Sequence, residues 1–420
     1  MKLRFALAAG LLISFSIEAA FITVEAGDYE RKNVLVEFKM GTPAPFFAVE
    51  TSQKDTLIDG TDSQGRPPLQ SSLGLPRRGQ VDEKGNGMFV LPQLAKGQKR
   101  TFQIQASSND AATSVFASRT DRGVELTSGQ KPVFTYHTEK TKLPPNRPDL
   151  TTIFHRAAYI HPVFTPDGAQ VTDDYPRNHR HHHGIWMAWT GTEFEGHKPD
   201  FWNMGEGKGT VEFAALDRTW SGAVHAGFVA RHRYVDLTAS EPKVALSETW
   251  TVRLYDAGTM SAAPLYLFDI EIKDECATTN VVKLPEFRYG GLCVRGNWAW
   301  NGKGKSFVLT SEGETDASKG DKNQVHARWV HLGGMVDGKF AGIATLAHPT
   351  NFRVPEPIRL NPAEPYFNFA PQQAGDMEIT PEKPFTARYR FVVADGKPDR
   401  AELDRLWNDF AHPPVVAVRE

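Results

Sequence analysis

Four histidines within five residues are the feature of this sequence that most directly suggests chemistry. They are His179, His181, His182 and His183. In an extended segment side chains alternate between two faces, so the first, second and fourth would share one face and His182 would point the other way. Imidazoles on one face could hold a Zn or Cu ion, or act as acid and base on one substrate, because imidazole titrates near neutral pH. A self-solvating polar loop is the alternative, although the apolar stretch that follows favours burial.

His161 and Glu248 are further candidates for proton transfer. His161 lies in a strand-like segment, residues 153–164, which we expect beside the histidine run. Glu248 shares strand parity with Leu246 and Trp250, and a carboxylate on an apolar face is costly unless paired and has a raised pKa. That profile suits a general acid or base, whereas a core glutamate paired with arginine is the alternative. The candidate catalytic residues are therefore His161, His181, His183 and Glu248.

Arginine and aromatic side chains near glycine-rich turns are candidates for binding a substrate. A guanidinium can bind a carboxylate through two hydrogen bonds, which would suit a uronic acid, and a flat aromatic ring can stack on a sugar. Structural ion pairs and core packing are the alternatives. The candidate substrate-binding residues are Arg156, His179, Trp186, Arg288, Asn351 and Arg353. A metal, if bound, would lie at His179, His181 and His183.

The composition argues against several classes of partner. The chain has 48 Lys and Arg against 50 Asp and Glu, a net charge of −2, so it lacks the basic excess that nucleic acids and anionic membranes favour. Its two cysteines, Cys276 and Cys293, are too few for a disulfide scaffold, although an exported protein could pair them.

The first 20 residues have the organisation of a secretory signal peptide. A basic start is followed by an apolar run from Phe5 to Ile17 and then by small residues, and the run is too short to span a bilayer as a helix. We therefore predict a mature N-terminus between Ala19 and Ala26. The protein would be exported to the periplasm or the extracellular space, without a transmembrane anchor.

The rest of the chain predicts a mostly β fold in two parts. Short alternating segments punctuated by Gly and Pro indicate a small β-sandwich over residues 21–142. The proline-rich residues 143–149 are typical of a linker. A large antiparallel β region is expected over residues 150–415. Near its end, residues 399–410 combine a capping box with apolar residues at helical spacing, which predicts a helix.

Several stretches of the large region resemble a known family. They are Arg156–Pro162, Thr165–Gly168, the histidine run, His348–Arg353 and Tyr389–Gly396. Together they resemble the exported bacterial family labelled methane oxygenase PmoA-like, which is otherwise of unknown function. More loosely, the size and strand density resemble the galactose-mutarotase-type β-supersandwich shared by sugar epimerases and by domains of lyases and hydrolases. That resemblance implies function only by analogy of fold.

We therefore expect an exported carbohydrate-active protein that binds a sugar or a uronic-acid-containing oligosaccharide. Histidine or Glu248 would transfer protons in an epimerisation, an elimination or a hydrolysis. The alternative is a non-catalytic module that binds a sugar, or a metal such as Zn or Cu. A carboxylate within hydrogen-bond reach of the histidines, in a closed cleft, would distinguish the enzyme from the module.

Overall fold

The computed structural model describes residues 20–40, 46–51, 77–82, 84–106, 113–140, 142–256, 264–321 and 323–419. The predicted signal peptide, apart from Ala20, lies outside them. The described chain is mostly β, with several antiparallel sheets and one α-helix near the C-terminus. This confirms the predicted fold class. Among these residues, no helix combines the length and the apolar character needed to cross a membrane.

One antiparallel sheet of seven strands, the N-terminal sheet, is built from the start and the end of the chain. Its strands are β1 (Phe21–Glu25), β2 (Arg31–Lys39), β3 (Phe46–Glu50), β4 (Arg77–Val81), β5 (Asn86–Leu94), β6 (Lys99–Ala106) and the last strand of the chain, β26 (Val415–Arg419). Their order is β2-β5-β4-β3-β6-β1-β26. The two edge strands β2 and β26 contact each other, so the sheet curls around its own apolar core.

A second antiparallel sheet, the front sheet, has eight strands. They are β7 (Val115–Arg119), β8 (Gly123–Ser128), β9 (Lys131–His137), β10 (Tyr159–Val163), β11 (Ile185–Ala188), β18 (Gly291–Arg295), β22 (Ile358–Leu360) and β23 (Tyr366–Phe369). Their order is β22-β23-β18-β11-β10-β9-β8-β7.

A third sheet, the back sheet, packs against the inner face of the front sheet. Its strands are β13 (Gly209–Trp220), β14 (His225–Asp236), β15 (Lys243–Tyr255), β16 (Leu265–Cys276), β19 (Ser306–Thr310), β20 (Trp329–Val336), β21 (Lys339–Ala347) and β25 (Phe385–Asp395), in the order β13-β14-β15-β16-β25-β21-β20-β19. Both sheets contribute to one large apolar core. A small sheet of β12 (Glu193–Phe194), β17 (Val282–Leu284) and β24 (Met377–Ile379) lies beside them.

The sheets divide the chain at a different place from the predicted linker. Strand β9, which precedes the proline-rich residues 143–149, pairs with β10, which follows them, and Tyr136 lies opposite Ile160. Residues 115–137 therefore belong to the front sheet and not to the N-terminal part. Proline has no backbone N–H to donate to a neighbouring strand, so a proline-rich stretch interrupts strand pairing. Here that stretch forms the connection between two neighbouring strands of one sheet.

Strand alternation gives the front sheet an apolar inner face and a polar, aromatic outer face. Ile185 and Met187 of β11 point into the core, whereas Trp186 points to the outer side, where it joins a separate aromatic group. The same period of two runs through β10, where Ile160 is inward and Tyr159 outward. The outer face is where the histidine run lies.

The helix α1 (Arg400–Ala411) covers the outer face of the back sheet. The Asp399 side chain accepts hydrogen bonds from the backbone N–H groups of residues 401 and 402, which caps the helix. Its apolar stripe packs on the back sheet and on residues of the N-terminal sheet. The stripe consists of Leu403, Leu406, Trp407 and Phe410. The helix prediction is confirmed to within one residue at each end.

Candidate functional site

The histidine run forms turns, not the extended segment that the alternation argument assumed. The backbone N–H of His179 donates to the carbonyl of Pro176 at 3.2 Å, and that of His182 donates to the carbonyl of His179 at 2.9 Å. The regular strand begins only at Ile185. Because the chain turns here, the side chains do not alternate between two faces.

Three imidazoles therefore form one group, and the fourth lies apart. The ring of His182 is stacked on that of His179 at 4.5 Å between centroids, and the ring of His181 lies 4.8 Å from His182 and 5.6 Å from His179. The prediction that His182 points away from the others is wrong. His183 contacts Tyr159 and Tyr175 instead, with ring centroids 4.8 Å away in each case.

Gly184 allows the end of the turn to approach the neighbouring strand. A Cβ atom at this position would lie 2.1 Å from the carbonyl oxygen of Ile160 and 2.9 Å from the Cβ of His161. Only glycine permits so close an approach of backbone to backbone. The approach places His183, the last residue of the run, beside strand β10.

Asp174 connects His183 to the front sheet. One carboxylate oxygen lies 2.6 Å from Nδ1 of His183, and the other accepts a hydrogen bond from the hydroxyl of Tyr159 at 2.8 Å. Burial alone would raise the pKa of Asp174, but His183, His161 and the Tyr159 hydroxyl outweigh it and hold that pKa below its ordinary value. Asp174 is therefore an ionised carboxylate at neutral pH.

His183 is a buried neutral imidazole. Its pKa is lowered by burial, against the opposing effect of Asp174. The contact with Asp174 places the proton on Nδ1. Its Nε2 is buried and has no hydrogen-bond partner within the described part of the chain. The imidazole thus presents an unshared lone pair on the side away from the carboxylate.

His161 lies next to this pair and is part-exposed. Its Nδ1 is 3.0 Å from the hydroxyl of Thr172. Burial lowers the pKa of His161 to about 4, while Asp174 acts in the opposite direction. The structure therefore places both His161 and His183 where they interact with Asp174.

A second carboxylate, Glu364, holds the other end of the run. One of its oxygens lies 2.5 Å from Nδ1 of His179 and 3.1 Å from the guanidinium of Arg295. Arg295 is fully buried and also donates to the side-chain oxygens of Asn178 and Asn301, at 3.1 and 2.9 Å. His179 is thus positioned by a charged pair.

Aromatic rings surround the histidine group. The ring of His182 lies 4.9 Å from Trp186 and 4.8 Å from Tyr366, and Trp186 packs against Trp202 at 5.2 Å. Tyr289, which is part-exposed, extends the group at 5.4 Å from Trp202. Trp186 itself is buried, so it forms the floor of the group rather than a surface for stacking.

The predicted metal ligands do not converge. His183 faces Asp174, whereas His179 faces Glu364. Across the described residues, no group of three or more His, Cys, Asp and Glu side chains is arranged to hold a metal ion. The donor set therefore does not fit the Zn or Cu ion that the sequence suggested.

Glu248 is not part of this site. It lies on strand β15 in the interior between the sheets, 1% exposed, 2.6 Å from Nδ1 of His232 and 3.1 Å from the hydroxyl of Tyr234. Nε2 of the same histidine is 2.6 Å from the hydroxyl of Tyr136. Burial raises the pKa of Glu248. The expected grouping with the histidines fails because parity placed Glu248 on the apolar inner face, while the run covers the outer face of the other sheet.

Two of the arginines predicted to bind substrate differ in exposure to solvent. Arg156 is buried, and its guanidinium donates to the backbone carbonyl of Met187 at 2.8 Å. Arg288 is exposed and lies over the ring of Tyr289 at 5.6 Å, at the edge of the aromatic group. Of the two, Arg288 is the one placed to contact a ligand.

Asn351 and Arg353 have structural roles. Arg353 donates to three backbone carbonyls within residues 371–376, at 2.6, 2.7 and 2.8 Å. The amide of Asn351 donates to Glu356 at 2.9 Å, and its oxygen accepts from the backbone N–H of Arg388 at 2.8 Å. Neither is free to bind a carboxylate, so the predicted substrate contacts from these two residues are not supported by the geometry.

Sequence reasoning missed the residues that organise the histidines. They are Tyr159, Asp174 and Glu364. A signal existed for Asp174, which stands a few residues before the run. No spacing rule could connect Glu364 to the histidines, because it is contributed by a distant part of the chain.

A comparison with protein families assigns most of the chain to one family. Residues 123–408 match the model of a family of unknown function, DUF6807, and the chain belongs to that family. The matched span includes every residue of the site described above. No curated protein matches the chain. The resemblance to the PmoA-like family stays a prediction.

Proposed function

We propose that this chain is an exported carbohydrate-active enzyme that transfers protons on the outer face of the front sheet. The observation that carries the proposal is the position of Asp174, which is held by Tyr159 and His183 and interacts with the part-exposed His161. A carboxylate beside a neutral imidazole is the arrangement that general-base catalysis uses, since the carboxylate stabilises the imidazolium that forms.

The site offers a base and an acid. His161 is neutral at physiological pH because burial lowers its pKa to about 4, and a neutral imidazole can accept a proton. Asp173 has a pKa raised to about 6 by burial, and one of its oxygens is buried without a partner in the described chain. Asp173 therefore retains a proton at mildly acidic pH and can return it. Such a pair suits an epimerisation, an elimination or a hydrolysis.

The surroundings favour a sugar as the ligand. The part-exposed ring of Tyr289 lies at the edge of the aromatic group, and carbohydrate sites combine flat apolar surfaces with hydrogen-bonding groups. The looser resemblance to the galactose-mutarotase-type supersandwich points in the same direction, as an analogy of fold.

The test is a screen of plant and algal oligosaccharides, with product analysis by chromatography. We expect one class to be converted by the wild type, and we expect His161→Ala and Asp174→Asn to lower the rate at least 100-fold, the range of general acid–base catalysis. His197→Ala and Asp337→Asn, at a hairpin and an exposed turn, are matched controls that should retain activity.

Two outcomes would contradict the proposal. Full activity in both site variants would remove the role of the Asp174 group. Binding of an oligosaccharide without conversion would instead favour the alternative, a non-catalytic carbohydrate-binding module.

A further inference from the structure

We infer that the site recognises an uncharged saccharide through its hydroxyl groups and discriminates against uronic acids. The inference rests on the proposed carbohydrate function and names its substrate class. It follows from where the charges of the site lie and from which hydrogen-bonding atoms are left without partners.

Three carboxylates lie near the histidines of this face. Asp173, Asp174 and Glu364 are all part-exposed. His161 and His181 add no positive charge near neutral pH, because burial lowers the pKa of His161 to about 4 and that of His181 to about 3. A bound carboxylate would therefore meet like charge, which is repulsive at contact distance.

Most of the arginines that could offset this repulsion have other partners. Arg180, within the run, donates to the carbonyl of Asp149 at 2.7 Å and lies over the ring of Phe154. The guanidinium of Arg295 is fully buried and is bonded to Glu364 and two asparagine side chains. Arg156 and Arg353 donate to backbone carbonyls. Arg288 lies at the rim and is exposed, and a single solvated cation contributes little to binding.

The unpartnered atoms of this face are a mixture of donors and acceptors. Trp186 Nε1 is a donor, His183 Nε2 is an acceptor because the proton of that imidazole lies on Nδ1, Asp173 Oδ2 is an acceptor unless protonated, and His182 Nδ1 can be either. All four are buried without a hydrogen-bond partner among the residues that the structure describes. Leaving such groups unpaired is unfavourable. A hydroxyl both donates and accepts, so hydroxyl groups, directly or through water, can satisfy both kinds. A carboxylate only accepts.

The experiment compares saccharides that differ only in the carboxyl group. Oligogalacturonides and oligomers of mannuronic and guluronic acid are each paired with their carboxyl-reduced counterparts, and neutral galacto- and gluco-oligosaccharides are added. Binding to the full chain is measured by isothermal titration calorimetry at pH 7. We expect neutral or reduced members to bind at least tenfold more tightly than the matching acids.

Variants locate the discrimination. Asp173→Asn and Glu364→Gln each remove one carboxylate. Each should lower, by several-fold, the ratio of the affinity for the neutral saccharide to the affinity for the matching acid. Asp337→Asn, on an exposed turn, is the matched control and should leave the preference unchanged. Circular dichroism confirms that each variant is folded before titration.

The outcomes separate this inference from the proposed function. Tighter binding of an acid than of its reduced counterpart would overturn the inference and leave a carbohydrate-active protein. Equal binding of both members, unaffected by the carboxylate variants, would also overturn it. If no saccharide in the panel binds, the proposed function fails and the inference fails with it.

Discussion

Asp174 shows how one side chain determines the chemical state of its neighbours. It fixes the proton of His183 on Nδ1, it anchors the hydroxyl of Tyr159, and it favours protonation of His161. The buried His183 and the part-exposed His161, both neutral, thus interact with the same ionised carboxylate. The histidines themselves could be found in the sequence by their density alone, but the groups that set their protonation could not, since these depend on contacts made by turns.

Glu356 is a second buried carboxyl group, and it makes a prediction about pH. It is fully buried, bonded by the Asn351 amide and by the Tyr389 hydroxyl at 2.9 Å each, and burial raises its pKa from 4.5 to about 7. Because the native state binds this proton more tightly than the unfolded state, the stabilising contribution is complete below pH 4.5. It is lost as pH rises through 7.

The glutamine of Glu356→Gln stays neutral at every pH, so we expect the variant not to lose this stability as the pH rises. The unfolding free energy of the variant minus that of the wild type should rise by about 3 kcal/mol between pH 4.5 and 7. Urea unfolding at a series of pH values measures the difference, with Glu378→Gln on the surface as the control for the substitution. A difference that stays constant over this range would mean that Glu356 does not bind its proton more tightly in the native state.

Among the helices, strands and turns, those with a strong local sequence pattern were the ones that could be predicted. The helix was found because its cap and its apolar residues at helical spacing are local signals. The histidine run was interpreted as a strand because polar residues fit either a strand or a turn. Pro176 before it and the close approach at Gly184 after it produce turns. The contact of Gly184 with Ile160 lies outside what local pattern can show.

The contact between α1 and the back sheet should contribute strongly to stability. Trp407 is 8% exposed, donates to the carbonyl of Ala347 at 2.8 Å and lies under the guanidinium of Arg328. We expect Trp407→Ala to lower the unfolding free energy by about 3–5 kcal/mol, because it leaves a cavity and an unpaired carbonyl. Chemical denaturation tests this. Trp298→Ala, at a position 44% exposed, is the matched control, and equal effects of the two would show that the helix is peripheral.

At the scale of the whole molecule, the N-terminal sheet is joined to the rest by a buried ion pair. Arg31 of β2 is 2% exposed, and its guanidinium contacts Asp409 of α1 at 3.0 Å and donates to the carbonyls of Ala26 and His412 at 3.0 and 2.6 Å. The predicted two-part organisation did not include this connection, since residues far apart in the sequence form it.

Removing the cation of this pair should be costly. We expect Arg31→Met to lower the unfolding free energy by about 3–5 kcal/mol, because it leaves the buried Asp409 with less compensation. Arg231→Met removes an exposed arginine from its pair with Asp217, so a change of less than about 1 kcal/mol is expected there. Thermal unfolding followed by calorimetry compares the two. Similar small changes in both variants would show that the two parts of the molecule are not coupled through Arg31.

The pairing of β26 with β1 has a consequence for how the protein is made. Phe21 lies opposite Arg419, so one edge of β1 stays unpaired until β26, the last strand of the described chain, is in place. A chain that emerges from a ribosome N-terminus first cannot complete this sheet until residues 415–419 are free. Pairing across so long a separation is also slow. Until then one edge of β1 stays unpaired, and an unpaired strand edge can pair with another chain and favour aggregation.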